Sequence, residues 1–464
     1  MSEKEKNKKM IFFYRFLLTI LLATYACVLS RVKRHSAGLT PLLGWLIGLG
    51  FFLLAPLAIL TLHGGFRQPA VYDFNGSWDE VNLSNPIFFR PYLIVWMGSL
   101  LALVPVFLMV PPPTRATVAG DCVLSRRSLE RVLLATMALM VVDWTATIHL
   151  AGGFAGFLVS HWYARTEAWA DELGRGYVLY THLSLTNSMI FTAAAALHTS
   201  QGLEDRAPRW AFTAPTLAFF AVQIVMSGNR IFFALYLLAV ATSAWLYGRR
   251  KILMTMFVAS PVLIFVFSAW TSVRAHIGDI PDSLSKNVLE VDIGNTAVTH
   301  SMNVTEGMAV MLLMHMINDF GTKFPYLEGG TYGRLLTFFF PQSMAAGRLP
   351  DFSTLSAQLY EPGRITSLGS TALGEAYANF ALAGVLVMPA LTWLSVRCTA
   401  ITGHGGGKHG LLSALGFVMF VCFVRFPFAE NALTLMAAAG LVWLFRAERG
   451  LGLREPEVQE AEVR

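Results

Sequence analysis

The sequence predicts an all-α, polytopic membrane protein: a bundle of about eleven transmembrane helices carrying one large extracytoplasmic loop with short amphipathic helices. Three observations predict this. First, 55% of the 464 residues are hydrophobic, 14% are charged and the mean hydropathy is +0.54, whereas an average soluble domain is about 25% charged. Second, the apolar residues fall in blocks of about 20, the length that crosses roughly 30 Å of hydrocarbon as a helix. Third, basic residues gather at short connections: Arg31, Lys33 and Arg34; Arg115, Arg126 and Arg127; Arg249, Arg250 and Lys251; Arg397 and Lys408; Arg446 and Arg449. That is the pattern left when Lys and Arg stay on the cytoplasmic side. It also argues against reading the net charge of +6 as a nucleic-acid footprint, because the charges form no single patch.

Taken in order, the predicted spans are 11–30, 39–62, 91–110, 129–150, 176–198, 210–228, 231–248, 252–270, 371–395, 411–428 and 431–446. With the basic connections 111–128, 199–209, 249–251 and 396–410 in the cytoplasm, segments 63–90, 151–175 and 271–370 face outward. The chain thus reads as one transmembrane domain, 1–446, with a large periplasmic loop at 271–370 and a polar, disordered cytoplasmic tail at 447–464. The first apolar run follows Lys8 and Lys9 like a signal peptide, but no small-x-small cleavage site follows, so it is expected to be retained. Its orientation is left open by charge: Lys4, Lys6, Lys8 and Lys9 at one end oppose Arg31, Lys33 and Arg34 at the other. Four cysteines, Cys27, Cys122, Cys398 and Cys422, are too few and scattered for a disulfide framework.

Within the long loop, residues 305–320 read as an amphipathic helix with an apolar stripe of Val310, Leu313, Met314 and Ile317. His315 and Asp319, four apart, share a face. Residues 331–340 form a second short apolar segment, stopped by Pro341. Both are expected on the membrane surface or over the mouth of the bundle.

Several enzyme signatures are absent. The stretch 403–410, GHGGGKHG, does not have P-loop spacing, and its His404 and His409 read as a flexible turn rather than a metal site. There is no HExxH, CxxC pair or GxSxG. What stands out is arginine on the outer side, where it should be depleted: Arg165, Arg175, Arg230, Arg274, Arg334, Arg348 and Arg364. A guanidinium pairs with phosphate and pyrophosphate oxygens without a metal; singly, such a residue also snorkels to lipid headgroups. Arg230, in the tight SGNR turn at 227–230, has little room to be idle.

Ionisable residues inside apolar blocks point the same way. Glu375, in LGEAYANF at the outer end of its span, is a candidate general base for a sugar hydroxyl, or else a hydrogen-bonded carboxylate partnering an arginine. Asp143 lies deeper and suits a structural hydrogen bond, while Arg425 flanks Pro427 between the last two spans.

These residues occur in an order that resembles the Wzy-like O-antigen and enterobacterial-common-antigen polymerases. The carrying motifs, over roughly 135–445, are GGFAGFL (152–158) leading to Arg165, SGNR, Arg274 before the long loop, TFFFPQSMAAGRLPDF (337–352), SLGSTALGEAYANFALAG (367–384) and Arg425 before the last helix. The resemblance implies an inner-membrane, multi-pass glycosyltransferase that needs neither metal nor cofactor. It would join polyprenyl-pyrophosphate-linked oligosaccharide repeat units on the periplasmic face, in surface polysaccharide or lipopolysaccharide biosynthesis. Carried over from the family, Arg165, Arg230, Arg274, Arg348 and Arg425 would contact the pyrophosphate or glycan; the residues themselves add Glu375 as the base acting with a catalytic Arg230, and Arg364 and His315 as further substrate-binding groups. Its partners would be the lipid-linked oligosaccharide, membrane lipid, a chain-length regulator and a flippase, with no nucleic acid. Two alternatives stay open: an O-antigen ligase, for which His300 or His315 would be the relevant histidine, and a lipid-linked oligosaccharide flippase, which predicts internal repetition and helices broken at mid-membrane.

Overall fold

The computed structural model describes residues 3–36, 38–67, 80–109, 126–150, 152–154, 168–204, 210–227, 231–260, 307–337, 349–362, 368–403 and 408–426, with single positions at 262, 302, 428, 432, 436 and 440. It is mostly helical. The helices are α1 (Glu3–His35), α2 (Pro41–Leu49), α3 (Ala55–His63), α4 (Phe89–Met109), α5 (Arg126–Leu150), α6 (Ala168–Glu204), α7 (Trp210–Ser227), α8 (Ile231–Leu246), α9 (Met308–Asp319), α10 (Gly330–Thr337), α11 (Phe352–Tyr360), α12 (Ala372–Phe380), α13 (Val387–Gly403) and α14 (Lys408–Phe423). A π turn, Gly50–Leu54, joins α2 to α3 without a break, and a small antiparallel hairpin pairs β1 (Gly65–Arg67) with β2 (Glu80–Asn82).

Among the described residues, five helices are long and apolar enough to cross a membrane: Glu5–His35, Pro41–His63, Pro86–Met109, Arg127–His149 and Ala372–Thr402. Phe212–Ile224, Ile231–Leu246 and Gly410–Phe423 are shorter apolar helices within three further predicted spans, and 176–198 falls inside α6. Most of 261–270 and 431–446 lies outside the described residues.

Side-chain hydrogen bonds and close backbone approach hold the bundle, as expected where lipid offers little hydrophobic drive between helices. α2 starts on a Thr40 cap, whose hydroxyl accepts from Leu43 N at 3.3 Å, with Pro41 in the first turn. Gly44 and Gly48 then face α14: a Cβ at Gly44 would collide with the Phe417 carbonyl, and one at Gly48 would lie 2.8 Å from that of Val421. Trp45 Nε1 donates to Thr392 Oγ1 (2.7 Å), which in turn donates to the Ala102 carbonyl (2.6 Å), tying α2, α13 and α4. Tyr92 Oη reaches the Tyr14 carbonyl at 3.1 Å and Trp96 Nε1 that of Leu17 at 2.8 Å, fastening α4 to α1.

Polar rungs join α5 and α6: Glu130 to His198 (3.7 Å), Asn187 Nδ2 to the Thr136 carbonyl (3.1 Å) and Ser184 Oγ to Asp143 Oδ2 (2.6 Å). Asp143 therefore takes part in a structural hydrogen bond.

Contacts sort the two ends of the bundle. At one end, the Lys33 ammonium lies 4.4 Å from the Trp245 ring, Arg249 donates to the carbonyls of Leu203 and Glu204 (both 2.7 Å), and Leu42 N donates to Thr399 Oγ1 (2.9 Å). At the other, Arg15 donates to the Leu62 carbonyl at 2.9 Å. The start of α1 thus shares an end with 63–67 and 80–90, and its basic C-terminus shares the other with Arg249 and Thr399. Charge alone left this open.

Of the two places expected for the loop helices, the structure favours the bundle for α9. Nine of the twelve residues of α9 are buried: Ala309, Val310, Met311, Leu312, Leu313, Met314, Met316, Ile317 and Asp319. Instead of lying on a membrane surface, α9 packs into the bundle against α4, α12 and the π turn. The candidate span Ala372–Thr402, which covers the predicted 371–395, is broken at Ala381. Leu373 lies against Gly98, about half-way along α4, whereas Tyr377 Oη accepts from Arg90 at the start of α4 (2.8 Å). α12 therefore rises toward the outer-loop end. The chain reverses at Ala381 (φ 53°), passes through a 3-10 turn, Ala381–Leu386, and descends as α13 to Thr392 beside Ala102 and Thr399 beside Leu42. α12 is a re-entrant half-helix. Non-helical backbone at such depth is tolerated only where protein or a water-lined cavity covers it.

Candidate functional site

The half-helix α12 is built by its own sequence. Thr371 caps it, its hydroxyl accepting from Gly374 N at 3.0 Å, and Glu375 stands in the first turn, where negative charge complements the helix dipole. Glu375 and Asn379, four apart, share a face. Onto this face the outer segment lays α10. Leu327 N donates to the Ala378 carbonyl (2.9 Å), Thr331 Oγ1 donates to Glu375 Oε1 (2.8 Å), and Asn379 Nδ2 donates to Thr331 Oγ1 (2.8 Å) and to the Glu375 carbonyl (2.8 Å). Thr331 N returns a longer bond to Asn379 Oδ1 (3.3 Å).

The second carboxylate oxygen turns to the end of α14. Phe428 N donates to Glu375 Oε2 at 2.6 Å, and Ala372 N donates to the Val424 carbonyl at 3.0 Å. Phe428 follows Pro427, which has no N–H, and starts a helical position, so Glu375 supplies an acceptor to a freed backbone donor. Glu375 is fully buried, at 0% exposure. Such a group persists only when its oxygens are satisfied, and two bonds from two other elements do that here.

Two arginines flank this knot. Arg425 Nη1 donates to the Ser370 carbonyl (3.2 Å), and its guanidinium lies so close to Gly369 that a Cβ there would overlap it. Arg334, one turn beyond Thr331 on α10, donates to the Leu349 carbonyl (3.2 Å). Arg334 and Asp351 are the other charges felt at Glu375. Aromatic rings close the gap: Tyr332 stacks on Phe428 with centroids 5.4 Å apart and meets Phe380 at 5.3 Å. Burial, and secondarily the charge of Glu375, pushes the Tyr332 phenol well above its ordinary pKa, so it stays neutral.

The structure brings together Glu375 and Arg425 from the predicted set. It does not place Glu375 at the outer end of a span: the residue is one turn into a half-helix that starts deep in the bundle. Nor is its partner an arginine among the described residues. His315 is separate, its Nε2 2.9 Å from the Glu80 carbonyl and its ring edge-on to Phe88 at 5.3 Å. Asp319 pairs with Lys323 at 2.8 Å. Arg165, Arg230, Arg274, Arg348 and Arg364 lie outside the described residues. Among the described residues, no three His, Cys, Asp or Glu side chains are grouped as metal ligands would be.

Sequence reasoning passed over Thr331, Asn379, Phe428 and Arg90. Only Asn379 carried a local signal, its spacing of four from Glu375.

Comparison with known proteins adds no constraint: no family model, no curated protein and no solved structure matches the chain.

Proposed function

We propose that the protein polymerises polyprenyl-pyrophosphate-linked oligosaccharide repeat units on the periplasmic face of the inner membrane, as a metal-independent glycosyltransferase with about eleven spans. The observation that carries this reading is a buried carboxylate, Glu375, that feels the charge of Arg334, with Arg425 held at the Ser370 carbonyl just before the same half-helix. Glycosyl transfer from such a carrier asks little of the protein. The lipid pyrophosphate is already a good leaving group; donor and acceptor must be held in line and the developing charge neutralised, which positioned guanidinium groups can do. Lipid-linked substrates can enter sideways from the bilayer, and the loop helices packed in the mouth would contact the sugars.

A flippase reading is favoured by one feature, the re-entrant α12, since broken helices are frequent at transporter sites. The sequence has no internal repeat to accompany it. The ligase reading calls for a reactive loop histidine: His315 has its Nε2 at the Glu80 carbonyl, and His300 lies outside the described residues.

Reconstitution in liposomes with a lipid-linked repeat unit separates these readings. A ladder of longer glycans on the carrier is expected. Unextended substrate moving across the bilayer, with no ladder, would assign the protein to transport.

A further inference from the structure

We infer that Glu375 is a positioning residue, a latch that locks helix α10 and Phe428, beyond the end of α14, to α12, and so sets where Arg334 and Arg425 stand. Its two oxygens go to two different arms. Oε1 takes the Thr331 hydroxyl, one helical turn from Arg334, and Oε2 takes the backbone N–H of Phe428, three residues beyond Arg425. Asn379 doubles the first arm through the same Thr331 hydroxyl, and Leu327 N adds a bond to the Ala378 carbonyl. With no solvent exposure, Glu375 meets a sugar hydroxyl only if one of the arms packed over it moves.

The joint uses both carboxyl oxygens as acceptors. A glutamine in its place can still accept from Phe428 N while its amide donates to the Thr331 hydroxyl, keeping both arms. Glu375→Leu removes both acceptors at similar volume, which makes it the informative variant. Thr331→Val, which removes one arm from the other side, tests the same joint without touching the carboxylate.

The latch itself is independent of the reaction; its effect on substrate binding rests on the polymerase reading above. The test uses the purified full chain in lipid nanodiscs, with backbone hydrogen exchange over 330–337 as the structural readout. Loss of the Glu375 bonds to this segment should raise its exchange by roughly tenfold or more in both variants, with α2 and α4 unchanged. Unchanged exchange in folded Thr331→Val or Glu375→Leu would overturn the latch.

Steady-state polymerisation of a lipid-linked repeat unit gives the second readout. A positioning role predicts KM raised roughly tenfold with kcat within a few-fold of wild type. A kcat reduced roughly 100-fold or more at unchanged KM, with a shifted pH profile, would instead make Glu375 the base and overturn the inference. If the wild-type protein makes no polymer while exchange responds as expected, the functional reading fails and the latch stands.

Discussion

At the scale of single residues, the consequential feature is a carboxylate with no access to water, shared between three elements. Glu375 draws a hydroxyl from α10 and a backbone N–H from Phe428, beyond the end of α14. Asn379 supports it from the next turn, spending both amide hydrogens on Thr331 and the Glu375 carbonyl. Asn379→Ala should therefore destabilise the protein by about 1–3 kcal/mol through lost and unsatisfied hydrogen bonds. Thermal unfolding in detergent, followed at α10 by a local probe, should show that segment releasing below the temperature of the remaining bundle. A melting profile identical to wild type would mean the Thr331 joint carries no stability. The pair Glu375 and Asn379 was legible in LGEAYANF from helical spacing. Their partners were not, because they lie 44, 48 and 53 residues away, and no local pattern encodes which loop returns to which face.

At the scale of elements, helix existence followed from hydropathy while helix placement did not. The stripe of Val310, Leu313, Met314 and Ile317 correctly marks α9 as a helix, yet the opposite side is buried too. Periodicity reports which face is apolar; it cannot report whether the other face meets water or protein. Residues 371–395 show the converse. Their unbroken apolar run reads as one crossing, but α12 climbs and α13 descends, with the reversal at Ala381. Hydropathy measures how much a segment dislikes water and is silent on direction.

The close approach of α2 and α14 yields the sharpest prediction at this scale. Gly44→Leu and Gly48→Leu should each prevent folding to a single species, because the added side chain meets the backbone of α14 rather than a movable tip. Size-exclusion profiles of a fluorescent fusion would reveal this as loss of the monodisperse peak. A normal peak for both would show that the two helices do not touch along this seam.

At the scale of the whole molecule, the basic residues and the contacts agree on two ends. Lys33, Arg249 and Thr399 gather at one; Arg15, Leu62, Glu80 and His315 gather at the other. Because α1 runs between them, its first residues should be reached from the same side as 63–90, despite Lys4, Lys6, Lys8 and Lys9. In a background without native cysteines, Leu62→Cys and Met10→Cys should react with an impermeant thiol reagent added outside oriented vesicles. Arg250→Cys should react only after permeabilisation. Labelling of Met10→Cys and Arg250→Cys from the same side would contradict the arrangement.

The central claim is that the arginines beside the Glu375 latch serve a polymerising site, and its most direct measurement is product length. Purified wild type, Arg334→Ala and Arg425→Ala would each be given one lipid-linked oligosaccharide repeat unit, and the carrier-bound glycans sized. The account predicts a ladder from wild type and at least a roughly 100-fold loss in each variant that still elutes as folded protein, the scale on which a transition-state charge partner acts. A full-length ladder from both variants would contradict it.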